Sequence, residues 1–181
     1  NLNPEESYQL DAGIHWGNDR LTIQFDPYLN YFPNYIYMNP TPNYYEGLQW
    51  YYYTQSRVIR CGFELQADWK ILPSLSAEFK GEYLYAEQLS GEKKGYTLPF
   101  STPWSADATL RYAFCRKNVG NEGFVAMNMH VTGRQNNIVP PEKPTPGYYT
   151  LNLTAGKDFA FGERTLRLSL NAENLLNRKY Y

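Results

Sequence analysis

The chain has 181 residues, with 17 basic and 18 acidic side chains, a formal net charge of −1 and no block of either sign. That is the size of one ordinary domain, and it carries no electrostatic footprint for nucleic acid. Mean hydropathy is −0.61, and no run of about 18 apolar residues exists, which excludes helical membrane spans but not spanning strands, where only alternate residues meet lipid.

Residues 1–6, NLNPEE, are polar and contain a proline, which predicts a loop. Residues 7–17 alternate: Tyr8, Leu10, Ala12, Ile14 and Trp16 share one face, and Gln9, Asp11, Gly13 and His15 share the other. A tight turn at 17–20, rich in Gly and Asn, leads into 21–31, which alternates again, so the two runs predict a hairpin. Residues 32–53 contain Pro33, Pro40 and Pro42, lack a clean period and are dense in aromatics. They predict a long loop with strand extensions at its edges.

Residues 59–71 form the cleanest strand, with Ile59, Cys61, Phe63, Leu65, Ala67, Trp69 and Ile71 on one face. It exceeds the roughly five or six residues usual in soluble domains and suits a tilted membrane strand of about 9–11 residues. A turn at 72–74 returns the chain through 75–85. Opposite charges facing each other stabilise a strand pair, so the charges predict Lys70 opposite Glu78 and Asp68 opposite Lys80. A polar loop (86–102) precedes a strand at 104–114. A turn at 116–123 and a weaker strand at 124–133 follow. Residues 134–147 carry four prolines and predict an unpaired loop. Strands at 148–157 and 165–173, joined by a turn at 160–163, close the chain.

The prediction is therefore an all-β protein, an antiparallel up-and-down meander of about eight long strands. Short turns alternate with long loops, the arrangement of outer-membrane barrels. Apolar faces end in aromatics (Trp16, Trp69, Tyr83, Tyr85, Phe114, Tyr149), and the opposite faces are polar. Cys61 and Cys115 lie far apart without metal-like spacing and are expected to be unpaired thiols. His15 and His130 are lone histidines on polar faces. The inward charges Arg60, Glu64, Asp68, Lys70, Glu78, Lys80, Glu82 and Arg111 are expected to form a wall network. No triad, phosphate loop or paired-carboxylate motif stands out, so no catalytic residue, cofactor or metal site is assigned and an enzyme is not expected.

Several stretches resemble the C-terminal barrel of TonB-dependent outer-membrane receptors. They are Asn1-Leu2-x-Pro4-Glu5-x-Ser7-Tyr8 with Asp11 and Gly13, then Asn34-Tyr35-Ile36-Tyr37, Tyr53-Thr54-Gln55 and Gly62-Phe63-Glu64-Leu65. Leu98-Pro99-Phe100, Pro140-Pro141 and Pro146-Gly147-Tyr148 follow, and Asn174-Leu175-Leu176-Asn177 with Tyr180 completes the order. The resemblance implies that residues 1–181 are a segment of a transmembrane β-barrel of about 22 strands, with the plug domain and the final strand absent from this chain. It implies a Gram-negative outer-membrane location and active uptake of a scarce ligand such as a siderophore, haem or cobalamin. Implied partners are outer-membrane lipid, the chain's own N-terminal plug and a TonB-type energy-coupling protein reached through the missing N-terminal part. The two end strands, lacking neighbours, are expected to recruit other strands.

Within that expectation Tyr35, Tyr37, Tyr44, Tyr45 and Trp50 are the candidate ligand-binding residues, able to stack on a ligand or hydrogen-bond it. Packing of the loop, or an aromatic girdle, is the alternative role for the same rings. The competing functional reading is a soluble or small-barrel β-sheet binding module that uses surface tyrosines for carbohydrate binding or adhesion.

Overall fold

The alternation is realised as nine strands in one antiparallel sheet, here seen in a computed structural model that describes residues 2–114 and 122–180. The strands are β1 (Tyr8–Asp11), β2 (Ile14–Gly17), β3 (Leu21–Tyr45), β4 (Leu48–Leu72), β5 (Leu75–Gln88), β6 (Trp104–Phe114), β7 (Gly123–Thr132), β8 (Tyr148–Phe161) and β9 (Arg164–Ala172). Each pairs with its sequence neighbour, except that β1 and β2 both pair with β3. They form one stave, because Tyr8 opposite Tyr31 and Gly17 opposite Thr22 keep the same register. The interruption falls opposite Pro27, which has no N–H to return to the ladder; Ala12 still donates to the Pro27 carbonyl at 3.1 Å. The strands thus make eight staves, in a single layer rather than the two packed layers of a sandwich. Cys115 and most of the 116–123 turn lie outside the described residues; Cys61 is a free thiol.

The two faces differ in chemistry along entire rows. One row runs Trp16, Ile23, Ala67, Phe79, Ala108, Met129 and Leu151 across seven staves. The neighbouring row on the other face runs His15, Gln24, Gln66, Lys80, Asp107, His130 and Thr150. Much of the apolar face is exposed, including Leu10, Trp16, Trp69, Leu110, Met127, Tyr149 and Leu170. The polar face is concave. Lys70, Ser76, Arg111, Thr154, Asp158, Arg167 and Asn171, drawn from β4 to β9, line one hollow of about 1160 Å³ near the short turns. Exposed apolar surface on this scale needs a cover, and alternation with a polar concave wall is the pattern of a barrel wall facing lipid.

The 32–53 segment corrects the sequence reading. It is not a loop: β3 and β4 continue as a paired hairpin to a turn at Glu46-Gly47, where both residues have positive φ. The prolines fit because the register shifts between Phe32 and Tyr35 and again between Pro40 and Tyr44, so Pro33 and Pro42 fall within bulges. Past Tyr31, β3 also has no strand on its other side among the described residues, and an edge tolerates proline. The segment before β1 runs along that edge instead. The Glu5 carboxylate accepts from the Ile36 N–H at 2.8 Å, and the Asn3 backbone exchanges bonds with the Gln55 side chain at 2.7 and 2.6 Å.

The β4–β5 register also differs from the charge-based expectation. Asp68 stands opposite Glu78, Glu64 opposite Glu82 and Gln66 opposite Lys80. The tight turn fixes this pairing: Leu72 meets Leu75 across Pro73-Ser74, with a register shift between Lys70 and Leu72. On a hydrated face an exposed ion pair contributes only about 0–1 kcal/mol, too little to overrule the turn. Lys80 instead pairs with Glu78 on its own strand, and Glu82 accepts from the Ser105 hydroxyl at 2.6 Å. The lone histidine on β7 is absorbed in the wall, bonded to Asp107 and Thr132 at 3.0 Å each.

Glycines on this sheet serve as seats for aromatic rings. At Gly62 a Cβ would lie 2.7 Å from the Tyr28 hydroxyl and 2.0 Å from the Tyr83 carbonyl; at Gly156 it would lie 2.6 Å from the Phe124 ring, whose face the Arg111 guanidinium covers at 3.6 Å. Gly62→Ala is therefore expected to lower stability by about 1–3 kcal/mol, read from the urea midpoint of the folded barrel. An unchanged midpoint would show that the Tyr28 seat is unimportant. The outer edges of β1–β2 and of β9 have no strand partner among the described residues. The chain expressed by itself is thus expected to elute from sizing columns in detergent as an oligomer; a monodisperse monomer would contradict this.

Candidate functional site

At the long-loop end of the concave face the structure is built inward from the hairpin. The bulge after Phe32 restores side-chain parity, so Phe32, Tyr35 and Tyr37 all share a face with Ser56 and Val58, the partners of Tyr35 and Phe32. Residues 89–102 fold back over that face. Leu98 from this segment packs with Phe32, Val58 and Ala86 into the buried cluster, and Tyr35 and Tyr37 pack against its side. Phe32 and Tyr35 meet edge to face at 4.8 Å, and Tyr35 and Tyr37 are parallel at 6.4 Å.

Gln88 is the pin of this assembly. It is fully buried, its amide donates to the Thr97 carbonyl at 2.7 Å, and its carbonyl oxygen accepts from the Tyr37 hydroxyl. Its backbone bonds Tyr96 and Gly95 at 2.8 Å each. Ser56 and Ser90 close the start of the loop, with Ser56 Oγ donating to the Ser90 carbonyl at 2.7 Å. A second loop, 134–147, is tied to the first: Lys93 Nζ donates to the Pro140 carbonyl at 2.8 Å. The Glu142 carboxylate takes the Phe100 N–H with one oxygen and the Val139 N–H with the other, both at 3.1 Å.

Between hairpin, loop and wall lies a cavity of about 520 Å³, within the size range of small-molecule sites. Tyr28, Tyr35, Tyr37, Leu98, Pro99 and Phe100 supply apolar and aromatic surface, and Arg60, Glu64, Glu82, Ser101 and Thr102 supply polar groups. Glu64 and Glu82, side by side on β4 and β5, bring carboxylates to its lining.

The five aromatics singled out by sequence fall into two groups. Tyr35 and Tyr37 line this cavity. Tyr44, Tyr45 and Trp50 sit at the hairpin tip, 66, 60 and 56% exposed, with Tyr45 and Trp50 at 6.4 Å. Tyr45 lies eight residues beyond Tyr37, at most about 26 Å along the strand, whereas the Trp50 backbone stands nearer, with its carbonyl bonded to Thr41 beside Pro40. Tyr28, Gln88 and Phe100 were not singled out. The signal for Tyr28 was its place in the polar-face parity of β3; Gln88 and Phe100 depend on how the loop folds. Among the described residues no group of three His, Cys, Asp or Glu is gathered to hold a metal.

Burial, with smaller contributions from Tyr52 and Glu92, pushes the Tyr37 phenol from 10.0 up to about 12. Because the folded value lies above the unfolded one, the neutral phenol's contribution to the Gln88 clamp is complete below pH 10 and is lost as pH rises toward 12. Protection of 94–98 against proteolysis is therefore expected to fall over that window in the wild type. Tyr37→Phe should show weaker protection at neutral pH and no such transition. A wild type that keeps full protection at pH 12 would contradict the clamp.

The comparisons with known proteins follow the same architecture. Residues 1–175 match the family model described as TonB dependent receptor-like, beta-barrel. A search of curated proteins finds no significant match. Among solved structures, the copper transporter OprC superposes with a TM-score of 0.83 at 19% identity, covering 100% of this chain and 27% of that one. The ferric yersiniabactin uptake receptor FyuA of Yersinia pestis gives 0.70 at 15% identity, with coverage of 96% and 25%. BauA, the ferric preacinetobactin receptor of Acinetobacter baumannii, gives 0.73 at 13%, with coverage of 97% and 26%. The chain thus spans about a quarter of the length of these structures. With the family model matched over residues 1–175, the chain belongs to the TonB-dependent receptor-like β-barrel family.

Proposed function

We propose that this chain is the C-terminal barrel segment of an outer-membrane receptor that takes up a scarce small ligand actively, in a Gram-negative bacterium. The whole receptor would add an N-terminal plug, a final strand and the contact with a TonB-type energy-coupling protein. Siderophores, haem and cobalamin are the ligand classes in view. Neighbours of the same fold are described as handling copper, yersiniabactin and preacinetobactin, so the fold does not choose among cargoes.

The observation that carries the reading is the cavity between the hairpin, the 89–102 loop and the concave wall. It is of ligand size, opens on the polar face, and is lined by Tyr35 and Tyr37. The tip aromatics Tyr44, Tyr45 and Trp50 would serve as a first contact for ligand approaching from outside, and the two inner tyrosines would receive it. The chain's own role is to bind and orient; no side-chain arrangement calls for covalent chemistry, and an enzyme is not proposed.

The test uses the full receptor in cells lacking other uptake routes, with a ferric catecholate, haem, cobalamin and cupric ion as radiolabelled probes. At least one is expected to accumulate, to stop accumulating when the inner membrane is de-energised, and to bind about tenfold more weakly after Tyr35→Ala with Tyr37→Ala. Accumulation that persists after de-energising would overturn the transport reading. Binding unaffected by the tyrosine changes would move the site elsewhere.

A further inference from the structure

The outward rows change character toward the long-loop end. On β5 the outward positions run Leu75, Ala77, Phe79, Gly81, Tyr83 and Tyr85 before the first charge, Glu87. From Leu75 to Tyr85 a strand tilted by roughly 40° rises about 25 Å, the height of the apolar band on an outer-membrane barrel. Neighbouring staves end their apolar runs in the same way. Arg57 follows Ile59 on β4, Arg134 follows Gly133 just past β7, and the Arg178 guanidinium lies 5.1 Å from the Tyr149 ring of β8.

At this level the wall has a notch. The β5–β6 ladder stops at Tyr83 opposite Trp104, but β5 runs on to Gln88. Loop backbone takes over its edge: the Leu84 N–H donates to the Pro103 carbonyl at 2.9 Å, and the Gln88 N–H to the Tyr96 carbonyl at 2.8 Å. Between this edge and residues 134–137 lies a cavity of about 240 Å³, lined in part by Tyr83, Tyr85, Arg134, Asn136 and Asn137. Behind it Ala86 and Thr97 are buried, which closes it toward the concave face. Tyr83 and Tyr85 stand on the outward face, opposite Phe63 and Cys61, so the notch opens on the lipid side. Trp104, seated against Gly133, flanks it.

The chemistry of the notch selects its occupant. Among the described residues its lining holds Arg134 and no carboxylate. Glu87, next along the outward face, accepts from the Tyr85 hydroxyl. A guanidinium fork matches a phosphate. A bare phosphodiester needs only that cation, but here two adjacent amides, able to donate and accept at once, stand beside tyrosine rings that offer faces to C–H surface. That combination suits a sugar ring with its hydroxyls. Resting on the outer-membrane location proposed above, we infer that the notch binds the phosphorylated sugar headgroup of an outer-leaflet glycolipid. Arg134 takes the phosphate, Asn136 and Asn137 take the hydroxyls, and Tyr83 and Tyr85 pack on the sugar and on the acyl chains that continue down the outward rows.

The experiment uses the full receptor, purified in detergent and stripped of lipid, with bound lipid read by native mass spectrometry. Three probes are titrated: bisphosphorylated lipid A, the same lipid A with its phosphates removed, and phosphatidylglycerol. The first is expected to bind roughly tenfold or more tightly than either of the others. Arg134→Gln should lower it to the level of the dephosphorylated form, Arg134→Lys should keep part of the difference, and Asn136→Ala with Asn137→Ala should weaken both forms of lipid A. Arg178→Gln, on the rim but outside the notch, should change binding by less than about twofold. Phosphatidylglycerol binding as tightly as the glycolipid overturns the inference, as does a preference that survives Arg134→Gln, an equal loss in Arg178→Gln, or no binding by any probe. Fractionation of the cell envelope tests the location separately: a receptor recovered in the outer membrane whose lipid binding ignores Arg134 keeps the proposed function and loses this site.

Discussion

The constraint on which everything else rests is that each stave must satisfy its backbone sideways, against its neighbours in the sheet. A strand with one face open to an apolar medium has no water there to take its N–H and C=O groups. Between the two end staves this is met by antiparallel pairing, even across the break opposite Pro27, where Ala12 still finds the Pro27 carbonyl. Once the ladder is complete, side chains need only sort by parity. Most leucines and methionines go outward, and amides and charges go into the concavity, with Tyr28, Phe32, Tyr35, Tyr37 and Val58 as the inward apolar and aromatic exceptions under the loop. The buried cluster of Phe32, Val58, Ala86 and Leu98 is accordingly small. It is a local packing site under a folded loop, and the stability of the sheet does not depend on a central core.

Parity was the part of the fold most legible in the sequence, because a period of two survives any change in register. The strands within 59–71 and 75–85, the turn between them and the proline-rich 134–147 segment all follow from residue type, and the last contributes only the single bridge of Gln135 to Thr145. Register was less legible. It depends on the backbone geometry of Pro73-Ser74, which side-chain charge cannot report. The β3–β4 hairpin was misread for a related reason. Two bulges shift the parity twice within residues 32–44, so a true strand loses its period, and prolines that signal a loop elsewhere sit where a bulge and a bare edge accept them.

The candidate site shows the same division. That residues 32–53 matter was visible from their tyrosines. That these divide into a half-buried pair and an exposed trio was not, because the division depends on the hairpin continuing past the bulges and on the loop that folds over its base. Tyr35 and Tyr37 gain their environment from Gln88 and Leu98, more than fifty residues later in sequence. The cavity is therefore a product of loop folding upon a rigid wall, with precision supplied by the sheet and adaptability by the loop.

The carboxylate of Glu142 has a wider consequence. By holding Phe100 in one loop and Val139 in its own, with Lys93 reaching back to Pro140, it makes two segments some forty residues apart into a single heritable module. A graft, insertion or deletion in either one is a change to both. Diversification of the loop surface would then advance by paired replacement, with the cavity rim redrawn as a whole, while the staves beneath keep their lengths.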